Sequence, residues 1–230
     1  MAVNYNPSIV RSGLVLYLDA ANRKSYSGAG TSWNDISGTG NNGTLVGGIA
    51  YTSSNAGTMT FDGTTGYIDC GTAPQIGSSL TCLTVSMWVN TNSRSVRCIA
   101  EDGTNYNTNT FYMFQEDVNY FSFTVFGTSY DVIYTNYVYQ LNTWYNLVGT
   151  WQAGLNTQLY TNGVLTSGTR NGSAQNSVID GNANLNIGTR PGNASFRFSG
   201  NMGPSMFYNR ALTPLEIQQN FNAIRGRYGI

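Results

Sequence analysis

The chain has 230 residues, with eleven basic and eleven acidic side chains, and 40% of it is hydrophobic. Balanced charge without a basic stretch argues against electrostatic binding to nucleic acid, and no run approaches the roughly 20 apolar residues that span a bilayer. An aromatic content of 13% is too high for a disordered chain, so the composition indicates a folded domain with an ample core.

Segments that alternate apolar and polar residues recur along the chain, as expected for strands with one buried face. In the first two segments, 13–19 and 83–90, the apolar sides consist of Leu14, Leu16 and Leu18 and of Leu83, Val85, Met87 and Val89. Further segments of this kind lie at 120–126, 143–151, 157–166 and 184–189.

Turn chemistry separates these segments. Asn162-Gly163 lies between two short apolar runs, and both residues accept positive φ, which predicts a tight type I′ hairpin. There is no βαβ alternation, no charged linker and no Pro-rich hinge. The pattern predicts an all-β fold, a two-sheet antiparallel jelly-roll sandwich that forms a single domain over 1–230.

The last segment is the exception, because 213–225 has the features of a helix, whereas 1–11 is interpreted as an N-terminal arm. Thr213, Pro214 and Glu216 form a capping box with proline at the first helical position. Leu212 and Ile217 are placed to form a hydrophobic staple. The apolar stripe of this helix consists of Ile217, Phe221 and Ile224, and Gly226 is placed to end it. The stripe fits docking on the sandwich, and a partner-binding helix is the alternative.

Two absences restrict the chemistry. The chain has no histidine, which excludes Ser-His-Asp and Cys-His nucleophile systems, imidazole bases and His-ligated metals. Cys70, Cys82 and Cys98 are odd in number and lack a C-x-x-C pair, which favours buried thiols over disulfides or a zinc site. The first residues lack the features of a signal peptide, so we expect synthesis in a reducing cytosol.

Five segments resemble the laminin-G-like, concanavalin A-like jelly rolls in their family order. They are "MTFDGTTGYIDCG" (59–71) with the following "LTVSMWVN" (83–90), "NTWYNLVGTW" with "QLYTNGVLTSG", and "FSGNMGPSMFYNRALTPLEI" (198–217). The resemblance implies the same sandwich, closed by a strand and a short helix.

Both ends of the chain, 12–45 and 219–230, resemble the versions found in virion proteins of tailed bacteriophages. This implies a non-enzymatic structural or decorating protein of the capsid, tail or baseplate surface. Such a protein is made in the bacterial cytoplasm and contacts other virion proteins or further copies of itself. The alternative is a host-recognition lectin that binds cell-surface polysaccharide.

Some relatives in this superfamily cleave glycans with paired glutamates on one strand. Here the glutamates are Glu101, Glu116 and Glu216, and the last belongs to the capping box. Glu101 and Glu116 each precede an aspartate, and adjacent residues point to opposite faces of a strand. They are poorly placed to flank one glycosidic bond at about 5–9 Å. We therefore predict that the chain is not an enzyme.

Many members of the family bind calcium at the sandwich rim, and the aspartates in turn-like stretches here are Asp62, Asp69, Asp102 and Asp180. Asx-turns are the more common use of such residues. Gly203-Pro204 stands where the family often has acidic residues before its closing Tyr-Asn-Arg, which speaks against a family-type ion site. We expect no cofactor, with calcium as the open alternative.

Tyrosines supply the candidate contact surface, because this side chain is amphipathic and suits glycans and protein interfaces alike. The candidates are Tyr106, Tyr112, Tyr130, Tyr134, Tyr137 and Tyr139. Glycan contact, protein contact within a particle and ordinary sheet packing remain open for them.

Overall fold

The computed structural model describes residues 7–73, 75–76, 80–103, 110–116, 120–179 and 184–230. Its strands are β1 (Leu14–Leu18), β2 (Ser32–Trp33), β3 (Gly43–Val46), β4 (Ile49–Thr52), β5 (Thr58–Asp62), β6 (Tyr67–Asp69), β7 (Cys82–Thr91), β8 (Arg97–Asp102), β9 (Phe111–Gln115), β10 (Phe121–Phe126), β11 (Tyr130–Thr135), β12 (Tyr145–Gln152), β13 (Gln158–Thr161), β14 (Val164–Leu165), β15 (Gly168–Gly172), β16 (Leu185–Ile187) and β17 (Ser199–Tyr208). One α-helix, α1 (Pro214–Ile224), follows them in the described part of the chain. Short 3₁₀ turns lie between strands at Ser54–Ala56 and Ala194–Phe196 and after α1 at Arg225–Arg227.

The strands form two antiparallel sheets, as predicted. The eight-stranded sheet runs β14-β13-β12-β7-β17-β5-β4, with β1 also paired to β17. The nine-stranded sheet runs β15-β11-β10-β9-β8-β16-β6-β3-β2. No helix among the described residues is long and apolar enough to cross a membrane.

The main core lies between the two sheets. Four residues that alternate along β7 contribute to it as predicted, namely Leu83, Val85, Met87 and Val89. From the opposing sheet, β10 contributes Phe121, Phe123 and Val125. Because these residues point inwards, the intervening residues of each strand lie on the outer faces of the sandwich.

The prediction for β1 was wrong at one position. Leu16 and Leu18 enter the main core, but Leu14 packs on the outer side of the eight-stranded sheet. The register between β1 and β17 shifts between Leu14 and Leu16, and such a bulge places Val15 and Leu16 together on the core side. Strict alternation therefore fails across the bulge.

A second apolar layer, here called the outer cluster, covers the outer face of the eight-stranded sheet. It joins residues of β1, β7, β12, β13 and β17 to the N-terminal arm and the C-terminal segment: Val10, Leu14, Tyr17, Trp88, Val148, Tyr160, Met206, Tyr208, Leu212, Ile217, Ile224 and Tyr228. Leu212 and Ile217, the predicted staple, are both buried there, and Phe221 packs against the cluster. The helix thus docks on the sandwich, as its apolar stripe predicted.

The predicted capping box of α1 is confirmed. Thr213 Oγ1 accepts a hydrogen bond from the Glu216 amide at 3.3 Å, and the Glu216 carboxylate accepts one from the Thr213 amide at 2.9 Å. Arg210 donates two further bonds to the same carboxylate, at 2.7 and 2.9 Å. The Arg210 hydrogen bonds outweigh partial burial and lower the pKa of Glu216 to about 2.

The end of the helix differs from the prediction. The α-helical residues stop at Ile224, and Gly226 lies inside the 3₁₀ turn that follows rather than in a left-handed cap. The left-handed position is Gly229, with φ of 70°. The extra turn carries Tyr228 back onto the sheet, where its ring lies 4.5 Å from that of Trp88 and 4.3 Å from that of Trp144.

Gly203-Pro204 has a structural role in this arrangement. The register between β17 and β7 shifts between Met202 and Ser205, and the Tyr228 hydroxyl fills the space over this bulge. A Cβ at Gly203 would lie 2.1 Å from the Tyr228 oxygen, so only glycine fits below that ring.

Three further predictions can be compared with the structure. Asn162 and Gly163 have φ of 51° and 79° and join β13 to β14, which confirms the tight hairpin. None of the three cysteines forms a disulfide, and Cys70 and Cys98 are buried whereas Cys82 is half-buried. The described part of the N-terminal arm is held by α1, because the Val10 amide donates to Asn220 Oδ1 at 2.8 Å.

Candidate functional site

The outer face of the nine-stranded sheet carries an almost continuous row of polar side chains. Residues directly opposite each other on neighbouring strands share a face, so the strand registers align one residue from each strand. This polar row consists of Ser32, Thr44, Asp69, Asn186, Glu101, Tyr112, Thr124, Val132 and Asn171. Of these nine residues, Val132 is the only aliphatic one.

Three of the predicted tyrosines flank or belong to this row. Tyr112 on β9 and Tyr130 and Tyr134 on β11 all point to the outer face, since they are opposite Thr124, Phe126 and Ser122 of β10. Tyr130 is 38% exposed, and Tyr112 and Tyr134 are half-buried. The Tyr112 ring packs 5.1 Å from Phe126 and 4.8 Å from Phe114. The fold therefore brings together three of the six tyrosines that the sequence singled out.

The other three tyrosines do not join this surface. Tyr137 is half-buried after β11, and its hydroxyl donates to Thr161 at 2.8 Å. Burial raises the pKa of Tyr137 to about 12. Tyr139 is fully buried, with its ring 4.7 Å from Phe121, so it belongs to the main core rather than to a contact surface. Tyr106 lies outside the described residues.

A buried ion pair occupies the middle of the polar row. Arg190 Nε lies 3.5 Å from Glu101 Oε1, and the two side chains are 8% and 0% exposed, respectively. The Arg190 guanidinium also lies 5.5–6.0 Å from the ring centres of Phe196, Phe114 and Tyr112. Arg190 therefore covers the centre of the face and leaves its two ends more accessible.

This arrangement restricts the carboxylate chemistry of the face. Glu101 is opposite Tyr112 on the outer face, whereas Asp102 is opposite the core residue Phe111. The two adjacent carboxylates thus point to opposite sides of the sheet, as the sequence predicted. Glu101 is fully buried, receives a weak bond from the Cys98 thiol at 3.8 Å, and is closed to a substrate in this conformation. Burial holds the pKa of Cys98 well above its usual value, which disfavours the reactive thiolate form of this buried side chain.

A polar cleft of about 420 Å³ lies at one end of the polar row. Its walls include Asn41, Asn42, Thr44, Asp69 and Thr72. The Asp69 carboxylate is oriented by the Gly71 amide at 2.9 Å and by the Asn184 side-chain amide at 2.9 Å. Because each carboxylate oxygen has two lone pairs, Asp69 keeps acceptor capacity towards the cleft.

Asp35 organises the loop that forms one wall of this cleft. Its carboxylate accepts bonds from the backbone of Tyr17, Ser37, Gly40 and Asn41 at 2.8–3.1 Å. Partial burial acts to raise the pKa of Asp35, but the hydrogen bonds from Ser37 and Tyr17 outweigh it and lower the pKa. The turn-rich sequence at 37–43 is therefore ordered around one charged side chain.

Three of the four aspartates considered for calcium lie in the described residues, and each is held by other groups or buried. Asp62 forms an Asx-turn, because its Oδ1 accepts from the amides of Thr64, Thr65 and Gly66 at 2.8–2.9 Å. Asp69 forms a similar turn with Gly71, and Asp102 is buried. Asp180 lies outside the described residues. Within the described ranges no three carboxylate or thiol side chains cluster in a way that could hold a metal ion.

Sequence reasoning missed Arg190, Asn184 and Asn186. Asn186 was inside a predicted strand segment, and its polar character in the alternation marks an outward position. Asn184 alternates with Asn186 in the same segment, so the pattern places it on the same side, but its bond to Asp69 depends on which strands become neighbours. Arg190 lies just after the segment and gave no local signal, because its contacts depend on the same arrangement of strands.

Solved structures with this fold include domain 4 of AbnA, a GH43 extracellular arabinanase from Geobacillus stearothermophilus, in complex with arabinotriose. That structure matches with a TM-score of 0.67 and 17% identity over 91% of this chain and 98% of the arabinanase domain. The receptor-binding domain of botulinum neurotoxin C/D mosaic serotype matches with a TM-score of 0.69 and 14% identity, over 92% of this chain. Trypanosoma rangeli sialidase in complex with sialic acid matches with a TM-score of 0.66 and 16% identity, over 93% of this chain.

The chain spans 51% of the length of the toxin domain and 33% of the sialidase. At these identities the likeness shows the fold alone, a lectin-like sandwich of the kind found in carbohydrate- and receptor-binding domains. No curated protein sequence matches the chain significantly. The model of the Laminin_G_3 family matches residues 62–218, more than half of the chain. The chain therefore belongs to this family of the concanavalin A-like lectin/glucanases superfamily.

Proposed function

We propose that this chain is a non-enzymatic, lectin-like component of a bacteriophage particle, made in the host cytoplasm and exposed on the capsid, tail or baseplate. The observation that carries the proposal is that the two segments resembling phage virion proteins, 12–45 and 219–230, form one unit. Arg227 donates two bonds of 3.0 Å to the carboxylate of Asp19, and residues of both segments fill the outer cluster. The two resemblances thus belong to a single structural feature.

The proposed contact surface is the outer face of the nine-stranded sheet. Its tyrosines, Tyr112, Tyr130 and Tyr134, offer aromatic area with polar tips, which is the composition typical of protein interfaces. The opposite outer face is already covered by α1 and the chain ends. Neighbouring virion proteins are therefore the partners we assign to the tyrosine-bearing face.

The non-enzymatic part of the proposal is supported by the carboxylates. Glu101 is buried against Arg190, and Asp102 points to the other side of the sheet. An acid and a base or nucleophile that flank one bond need two accessible carboxylates on one face, about 5–9 Å apart. We expect no hydrolysis of polysaccharides by the purified chain, measured by release of reducing ends. Turnover that is lost in Glu101→Gln would contradict this.

The proposal needs no metal or cofactor. We expect thermal unfolding of the purified chain to be unchanged by excess calcium or by a chelator. A calcium-dependent rise in Tm would indicate a calcium site, because a ligand that binds only the native state stabilises the folded protein.

Electron microscopy and mass spectrometry of purified particles test the virion assignment. The expected result is density for this chain at defined, repeated positions, with the tyrosine-bearing face against a neighbouring subunit. Particles that lack the chain, although infected cells contain it, would overturn the proposal.

A host-recognition lectin is the second candidate, and the polar cleft favours it. Asp69, Asn42 and Thr44 offer hydrogen-bonding groups around an open volume of about 420 Å³, which fits a neutral sugar better than an anion. One structure of similar fold, the arabinanase domain, was solved with arabinotriose. Saturable binding to a defined polysaccharide that is lost in Asp69→Asn but kept in Tyr130→Ser would establish the lectin function.

A further inference from the structure

Asparagine followed by glycine occurs three times in the chain, at positions 42–43, 162–163 and 171–172. In such a pair the glycine nitrogen can attack the side-chain carbonyl carbon of the asparagine, because glycine has no Cβ to obstruct the close approach of the backbone. An intramolecular reaction of this kind depends on how closely the two reacting groups are held together. The three pairs differ in this respect.

The side chain of Asn171 lies against the amide that would attack it. The Gly172 N–H donates to Asn171 Oδ1 at 2.8 Å. Since Oδ1 is bonded to Cγ, the carbon at which the reaction occurs, the Gly172 nitrogen is already close to its target. The positive φ of Gly172, 87°, is a backbone conformation that glycine adopts without strain.

The backbone of β15 leaves this amide free to react. β15 is an edge strand, and no described strand pairs with its other side. The Ser173 amide donates to the Tyr130 carbonyl at 3.0 Å. Because hydrogen-bonded and non-hydrogen-bonded pairs alternate in an antiparallel ladder, the next pair, Gly172 and Asp131, is non-hydrogen-bonded. The Gly172 amide therefore points to the open edge, and ring closure there breaks no ladder bond. Asn171 and Gly172 are also both exposed to water.

The other two pairs direct the same side-chain oxygen elsewhere. Asn42 Oδ1 accepts a hydrogen bond from the Asp35 amide at 2.8 Å, and Gly43 is buried in β3 between β2 and β6. Asn162 Oδ1 accepts one from the Asn146 amide at 2.9 Å, which ties this side chain to β12. Both carbonyls are thus held by an amide that is distant in sequence rather than by the glycine that follows them.

We propose that Asn171 is a site of spontaneous deamidation in the folded protein. The Gly172 nitrogen forms a bond to Asn171 Cγ, the bond from Cγ to Nδ2 breaks, and the proton lost by the glycine amide leaves with Nδ2 as ammonia. The cyclic imide then takes up one water molecule at either of its two carbonyl carbons, which gives aspartate or isoaspartate. The net change is loss of ammonia and gain of water, so the reaction needs no oxidant and no cofactor.

Both products alter the outer face of the nine-stranded sheet. Asn171 ends the polar row, and an aspartate there adds a carboxylate on the same face as Val132 and Tyr130. Isoaspartate adds a methylene to the main chain where there is no room for it, since even a Cβ at Gly172 would lie 2.0 Å from the Tyr130 carbonyl oxygen. The first product therefore changes the charge of this face, and the second displaces the end of β15 from β11.

Peptide mapping by mass spectrometry of the purified chain, aged at neutral pH and digested at mildly acidic pH, tests the site. Enzymatic methylation of isoaspartate identifies that product. We expect Asn171 to react at least about tenfold faster than Asn42 and Asn162, because a small misplacement of the reacting groups costs more than this in intramolecular reactions. In urea the preference should disappear, since all three are then unstructured Asn-Gly pairs.

Asn171→Gln is the matched control, because its longer side chain must close a larger ring. It should abolish the acidic form that ion exchange separates from the aged chain, and Asn171→Asp supplies the standard for that form, since the unmodified chain has a formal charge of zero. The proposal is wrong if the three pairs react at similar rates in the folded chain, or if Asn42 or Asn162 reacts first. An acidic form that persists in Asn171→Gln would also overturn it.

Discussion

The two outer faces of the sandwich differ in how far other parts of the chain cover them. The outer face of the eight-stranded sheet is closed by α1, the N-terminal arm and the C-terminal turn, which bury Trp88 and Tyr208 completely. The outer face of the nine-stranded sheet carries the polar row, with tyrosines at one end and a polar cleft at the other. The difference indicates that the first face stabilises the domain and that the second is available for partners.

Among substitutions on the two faces, Tyr228→Ala is expected to reduce the stability of the domain most. The ring of Tyr228 stacks on Trp88 and packs at an angle against Trp144, so its loss leaves a cavity on the outer face of the eight-stranded sheet. By analogy with other large aromatic truncations, the free energy of unfolding should fall by about 3–5 kcal/mol in chemical denaturation.

Tyr228→Phe is the control for that variant. The buried hydroxyl of Tyr228 has no hydrogen-bond partner among the described residues, so its removal should change stability by less than about 1 kcal/mol. Equal losses in the two variants would show that the hydroxyl rather than the ring holds the segment.

Arg227→Met should have the next largest effect. It removes both bonds to Asp19, whose side chain is 8% exposed and keeps the Tyr17 hydroxyl as a partner. Since an uncompensated buried carboxylate is costly, we expect a loss of about 2–3 kcal/mol, measured by urea unfolding. A loss below about 0.5 kcal/mol, typical of an exposed ion pair, would mean that the two terminal segments are not tied together by this contact.

Thr213→Ala should lower stability by about 1 kcal/mol, because it removes one half of the capping box. The other half of the capping box, the Glu216 carboxylate, predicts that stability depends on pH. The pKa of Glu216 is lowered to about 2, chiefly by the Arg210 hydrogen bonds, so its contribution is present above the ordinary glutamate pKa and is lost as the pH falls towards 2.

Stability measured between pH 5 and pH 2 should therefore fall less steeply in Glu216→Gln than in the unaltered chain. Parallel curves for the two proteins would indicate that the capping carboxylate is not held by Arg210 in solution.

The smallest effect on stability is expected for a substitution on the outer face of the nine-stranded sheet. Tyr130→Ser should change the free energy of unfolding by less than about 0.5 kcal/mol, because the side chain is partly exposed and lies outside both apolar clusters. A loss comparable to that of Tyr228→Ala would erase the distinction between the two faces.

The sequence predicted local structural features correctly where they depend on residues close together in the chain. The capping box of Thr213 and Glu216 and the hairpin at Asn162-Gly163 depend on residues within one turn, and both are confirmed. The resemblance to the laminin-G type of sandwich is likewise confirmed by the family match.

Features that depend on distant contacts were missed. Gly226 does not end α1, because Tyr228 must continue to Trp88, and Leu14 leaves the main core because of a bulge against β17. Tyr139 is polar enough for a surface yet packs on Phe121 in the core. Arg190 covers the polar row only because β8, β9 and the turn at 194–196 meet there, and no spacing in the sequence indicates that meeting.

The most direct test of the difference between the two faces is oxidative footprinting of tyrosine side chains in purified particles and in the isolated chain. Tyr130 and Tyr134 should be labelled in the isolated chain and protected in the particle, whereas Tyr228, which is buried against Trp88 and Trp144, should stay unlabelled in both. Equal labelling of Tyr130 and Tyr134 in the two samples would contradict the assignment of the nine-stranded face as the contact surface.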